Sequence, residues 1–366
     1  MSAGGQPSSL VNRAGLPGSP WFAFDSRAMD VARILASAAI FYYHIGLFGS
    51  YPLFRCGEYA VEYFVILSGV SFVLFSKAKP ARSSEYWEYM RKRFRSLFPM
   101  YLLINILIFL ASFAHAPARA EPVDLPGFLA SAAGLSGFLG WHFMTKPMWF
   151  IPFIMQVYLL LPLLDWTLRR VNPMVVVLLA AVFSFLLALW VLDSFQLADI
   201  QRCNICKNWS PLFRLPEVCV GVILGRMMQP GSSRRWQGVA AILLYGLLAW
   251  LAGLPQRGIV FTFFYLPWNG FLVPLILFGL TFLCVPLFAP LGTKWLRLLG
   301  LATFPFFLLQ CAPLAIIKHA FGDRWGVWLI LFLACWLLAI ACTVAIAKVG
   351  RLLDRIRFQP SAPAAD

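Results

Sequence analysis

The chain has 366 residues, of which 61% are hydrophobic and 12% charged, and its formal net charge is +15. That balance excludes an ordinary soluble domain, in which about 25% of residues are charged. It also excludes nucleic acid as the natural partner of the positive charge, because Lys and Arg cluster between apolar runs instead of forming one basic face.

Residues 1–24 are rich in Gly, Ser and Pro and lack a compact apolar stretch followed by a small-residue cleavage site. They read as a polar tail and not as a cleaved signal peptide. Ten apolar runs follow, near 30–48, 59–76, 97–114, 148–166, 174–192, 212–229, 236–253, 262–287, 299–317 and 326–347. Each is long enough to cross roughly 30 Å of hydrocarbon as a helix. Each must be helical, since backbone groups in lipid can only satisfy one another. The stretch 125–143, with GFLASAAGLSGFLGW, is apolar but rich in Gly and Ala. A full span there would turn Arg169, Arg170, Arg234 and Arg235 outward, so a re-entrant or interfacial segment is expected. Of the 30 Lys and Arg residues, 20 then fall inside, 9 outside and Arg33 within the first span, which favours two cytoplasmic termini. The expectation is an all-α polytopic membrane bundle of about ten transmembrane helices, with a membrane domain over 25–350 and a cytoplasmic tail over 351–366. Membrane lipids are its surroundings; the sequence is silent on oligomeric state.

Ionisable residues inside spans are costly and so are functional candidates. The first span holds Arg33 and His44. Eleven positions at 100° each bring both to one helix face, about 16 Å apart along the axis. A cation near the inner surface and a base toward the outer one suit a donor arriving from inside and an acceptor waiting outside. The alternative is an Arg snorkelling to the interface and a His bonded within the bundle. Glu62, in VEYFVILSG of the second span, is close in depth to His44. It can orient the imidazole and stabilise its protonated form, or serve as partner to a nearby Arg. Before the third span, YMRKRFRSLFPMY carries Lys92, Arg93 and Arg95. This run is either a positive-inside signal with lipid contacts or a pocket for the phosphates of a nucleotide-bearing donor. Trp149, Gln156 and Tyr158 read as interface aromatics and a polar helix contact. Cys203 and Cys206 fall in an outer loop with no second Cys or His pair nearby, so zinc is not expected; a disulfide or two idle thiols are open.

In order along the chain come DVARILASAAIFYYH, VEYFVILSG, RKRFRSLFPMY, WFIPFIMQVYLLLPLL and RLPEVCVGVILG. Together they resemble the acyltransferase-3 family of integral membrane acyltransferases, which modify polysaccharides, lipopolysaccharide and Nod factors; the resemblance covers roughly residues 25–350. It implies a bacterial inner-membrane O-acetyltransferase. His44, Arg33 and Glu62 would be catalytic, while Arg33, Lys92, Arg93 and Arg95 would hold the acyl donor, acetyl-CoA. Trp149, Tyr158, Arg214 and Glu217 would bind the acceptor, a sugar or lipid-linked oligosaccharide of an exopolysaccharide such as xanthan. No metal is implied. Two departures stand out. Ser96 occupies the family's second Arg position before the Pro, which leaves the donor contacts open among Lys92, Arg93 and Arg95. In the ninth span, Thr303, Phe304, Phe307 and Gln310 replace the family's Ser-Tyr-x-x-Tyr-Leu-x-His, which leaves His44 as the well-placed base. The rivals are a transporter or flippase of lipid-linked saccharide, which internal repeats would support and none is visible, and a scaffold subunit of an export complex.

Overall fold

The computed structural model describes residues 24–48, 56–76, 83–114, 125–135, 146–194, 210–229, 234–253, 267–310 and 325–357, and these contain no strand. The Cys203–Cys206 loop, most of the N-terminal tail and the end of the run at 299–317 lie outside the described residues.

The helices are α1 Ser26–Phe48, α2 Cys56–Phe75, α3 Ser83–Ala114, α4 Leu125–Ala132, α5 Phe150–Arg170, α6 Pro173–Ser194, α7 Leu215–Met227, α8 Arg235–Gly253, α9 Pro267–Phe288, α10 Gly292–Leu309 and α11 Trp325–Arg357. Local chemistry sets several of their starts. Asp25 Oδ1 accepts from the backbone N–H groups of Arg27 and Ala28, both at 2.9 Å, and caps α1. Asn172 does the same for α6 through the N–H of Met174 at 2.9 Å. Among the described residues, four stretches are long and apolar enough to cross a membrane, 84–110, 150–170, 272–309 and 326–350. The stretch 272–309 is apolar throughout, yet it is two helices. Pro286 and the short 3-10 turn Ala289–Leu291 end α9, and Gly292 at φ 70° breaks the helical geometry before α10.

Two expected boundaries move. The basic run is not a loop ahead of the third span: α3 begins at Ser83, so Lys92, Arg93 and Arg95 lie on a continuous helix of 32 residues. The Glu88–Lys92 ion pair one turn apart, at 2.6 Å, and a sequence of good helix formers carry it inward. At the other end, α11 continues to Arg357, into the segment read as tail. The stretch near 125–143 contributes α4, whose 8 residues reach only about 12 Å, far short of a crossing. It is docked on α3 by buried polar groups. The Tyr101 hydroxyl donates to the Ser131 carbonyl, and Ser131 Oγ donates to Asn105 Oδ1 at 2.9 Å.

At the centre, α2 packs on α1, α5, α7 and α9, while α1 also packs on α10. The α2–α7 crossing brings backbone against backbone. A Cβ at Gly69 would lie 2.6 Å from the Gly221 carbonyl carbon, and one at Gly221 would strike the Ile66 carbonyl. Gly221 and Gly225 are four residues apart on α7, the small-residue spacing that lets membrane helices approach closely. Leu179, Leu283 and Leu337 are each more than 60% exposed, on α6, α9 and α11. Large apolar side chains turned outward along apolar helices face lipid, and the molecule is an all-α membrane protein.

Candidate active site

Six helices, α1, α2, α3, α5, α10 and α11, each turn one stripe toward a cavity of about 400 Å³. The stripes follow helical spacing: Phe150, Ile154 and Tyr158 on α5; Phe64, Leu67, Ser68 and Ser71 on α2; Arg93, Ser96, Leu97 and Met100 on α3. Along α5 the lining runs from Tyr158 to Phe150, about 12 Å at 1.5 Å per residue.

One end is cationic. The Arg93 guanidinium lies over the Tyr158 and Tyr89 rings, 5.0 and 5.2 Å from their centroids. Both contacts are within cation–π range, and both fix a long side chain in place. Arg33 lines the same end and donates from Nη1 to Asp30 Oδ1 at 3.3 Å, one turn back on its own helix. Asp30 is buried because α10 presses on it at Gly300, where a Cβ would lie 2.6 Å from the Asp30 carboxyl carbon. Arg95 also lines the cavity and is exposed. The other end is aromatic. Phe150 lies 5.0 Å from Phe307 and 6.1 Å from Phe64, ring centre to ring centre, and all three are lining residues.

Other candidates take different positions. Lys92 is not a lining residue; its side chain is 72% exposed and paired with Glu88, because one residue along a helix turns it about 100° away from Arg93. Arg33 and His44 share a helix face, and His44 is half-buried, beyond the lining. Glu62 forms a buried ion pair with Arg214, both side chains about 5% exposed. Its carboxylate therefore ties α2 to the 3-10 turn Pro211–Arg214 that leads into α7, and the reading of Glu62 as an Arg partner matches this geometry. The Arg214 guanidinium also lies 5.7 Å from the Phe153 ring centre. Glu217 accepts from the Tyr245 hydroxyl at 2.7 Å, joining α7 to α8. Trp149 packs edge-on against Phe150 and Phe153, behind the aromatic end. Tyr158 lines the cationic end, not the aromatic one.

Sequence reasoning missed Asp30, although its i, i+3 spacing to Arg33 was a usable signal. It also missed Asp165, a buried carboxylate bound by Arg169 at 2.8 Å and by Arg226 at 2.7 Å. The Arg169 contact has helical spacing; Arg226 is 61 residues away and gives no local signal. Thr303, Phe304 and Phe307, where the ninth span departs from the resembling pattern, are all lining residues, and Gln310 is fully buried one turn further on.

A cationic mouth leading into an apolar, aromatic-ended cavity suits a ligand with an anionic head and an apolar arm. Comparison with curated proteins and with solved structures gave no match. The model of the acyltransferase-3 type, described as an acyltransferase domain, matches residues 26–347. The chain belongs to this family and is a membrane acyltransferase.

Proposed function

We propose that the protein transfers an acetyl group from cytoplasmic acetyl-CoA to a hydroxyl of a lipid-linked exopolysaccharide sugar at the outer side of a bacterial inner membrane. In this reading the bundle has about ten transmembrane helices and both termini are cytoplasmic. The observation that carries it is the cavity. Three arginines, Arg33, Arg93 and Arg95, line it, where phosphates would bind, and its apolar part runs from Arg33 and Arg93 to the rings of Phe64, Phe150 and Phe307. Guanidinium groups suit phosphate because their donors match two oxygens at once. The cavity's mainly apolar lining suits a pantetheine arm and a short acyl group.

His44 is the base in this scheme. It lies about 16 Å beyond Arg33 on the same face of α1, toward the outer leaflet. Imidazole titrates near neutral pH, so it accepts the proton of the sugar hydroxyl as that oxygen attacks the thioester carbonyl. Collapse of the tetrahedral adduct expels the CoA thiolate, which leaves with the proton from His44. The Glu62–Arg214 pair supports the site by clamping α2 to the start of α7.

The test is transfer of radiolabelled acetyl from acetyl-CoA in membranes that contain the native glycan acceptors. His44→Ala should abolish transfer while the protein still inserts at wild-type level, since the change removes a base and adds no charge. Transfer near the wild-type rate would remove His44 from the mechanism.

A further inference from the structure

We infer that Phe64, Phe150 and Phe307 form a wall that restricts the donor to short acyl chains. The inference rests on the cavity being the donor site, and it adds what that site selects. With the phosphates held by Arg33 and Arg93, the acyl carbons must lie toward the opposite end of the lining. Three stripes change character in that direction. On α5 the order is Tyr158, Ile154, Phe150; on α2 it is Ser71, Ser68, Phe64; on α10 it is Gly300, Thr303, Phe307. The three stripes converge on rings that touch one another, with Phe150 5.0 Å from Phe307 and 6.1 Å from Phe64.

Two of these rings have little room to give way, while Phe64 is half-buried. Phe150 and Phe307 are 7% and 4% exposed. Trp149 and Phe153 back Phe150 at 5.8 and 6.1 Å. A protein interior packed to crystal density does not open for extra methylenes without strain. In an open apolar passage each added methylene would strengthen binding about fourfold. Against a wall the sign reverses, and longer chains bind more weakly. Chain-length dependence therefore separates a wall from a passage by direction and not merely by degree.

The experiment is calorimetry of CoA, acetyl-CoA, butyryl-CoA and hexanoyl-CoA with the full-length protein in nanodiscs. Wild type should bind acetyl-CoA at least tenfold more tightly than hexanoyl-CoA. Phe150→Ala and Phe307→Ala should reverse that order, because the lost ring leaves apolar room for the longer chain. Phe109→Ala, whose ring stacks on Phe128 away from the cavity lining, should keep the wild-type order. Should an alanine variant fail to give monodisperse protein, Phe150→Leu and Phe307→Leu make the same comparison. Hexanoyl-CoA bound as tightly as acetyl-CoA by wild type, or an unchanged order in folded Phe150 and Phe307 variants, would overturn the wall while leaving the donor site standing. Absence of binding by CoA and all three thioesters would overturn the donor site, and the wall with it.

Discussion

Lys92 and Arg93 are neighbours in sequence but differ in what holds them. Arg93 is fixed between two tyrosine rings and faces the cavity, while Lys92 is exposed and paired with Glu88. If the cavity binds the phosphates of CoA, the two should respond very differently to substitution. A charge-assisted contact to phosphate contributes on the order of 1.5 to 3 kcal/mol, so Arg93→Ala should weaken acetyl-CoA binding roughly tenfold to a hundredfold. Lys92→Ala should change it by less than about twofold, as exposed ion pairs contribute little. Calorimetry on the two purified variants compares them directly, and equal losses would show that the basic run acts only through its overall charge. The hydroxyl-bearing lining residues show why the rest of this site was silent in the sequence. Ser68 donates to the Phe64 carbonyl at 2.9 Å and Thr343 to the Ala339 carbonyl at 2.8 Å. Each satisfies itself on its own helix, so its presence in an apolar run does not reveal which way it faces.

At the scale of elements, the crossing of α2 and α7 decides how the site is assembled. Gly69 ends the VEYFVILSG segment and Gly221 lies in RLPEVCVGVILG, so two of the segments that carried the family resemblance meet backbone to backbone. Their glycines serve packing and not chemistry. Gly221→Leu should push α7 off α2 and cost at least about 1 to 3 kcal/mol, since neither backbone can retreat as a flexible side chain would. A thermal-unfolding comparison with Gly350→Leu checks this, because no atom lies within 4 Å of a Cβ at that position. Similar unfolding temperatures for the two variants would contradict the close crossing. Apolar run length made α2, α5, α6 and α8 legible in the sequence to within a few residues. It could not reveal the inner half of α3, where the charges of Arg91 to Arg95 lower the window average although the helix continues. Nor could it give the pairing of Glu62 with Arg214, which are 152 residues apart and joined only by the fold.

For the whole molecule, the charge distribution and the described helices make a topology that reporter fusions can read. Fusions at 77–96, at 226–236 and after α11 should report a cytoplasmic location, and fusions in the Cys203–Cys206 loop an outer one. A cytoplasmic signal from that loop would require the stretch around α4 to cross the membrane after all. The cavity joins residues from Met29 to Ala347, nearly the full length of the chain. It therefore cannot exist until the last helix has been made. Synthesis at about 5 to 20 residues per second separates Arg33 from Thr343 by roughly 15 to 60 s. Throughout that interval α1 has none of α10 or α11 beside it, and a lone guanidinium inside a bilayer is costly, up to about 2.5 to 3.5 kcal/mol at its centre on insertion scales. Asp30 travels on the same helix, one turn away, and its bond to Arg33 needs no second helix. The ion pair thus lets the first helix carry its charge into the membrane early and wait, self-neutralised, for the partners that will later turn it into a binding site.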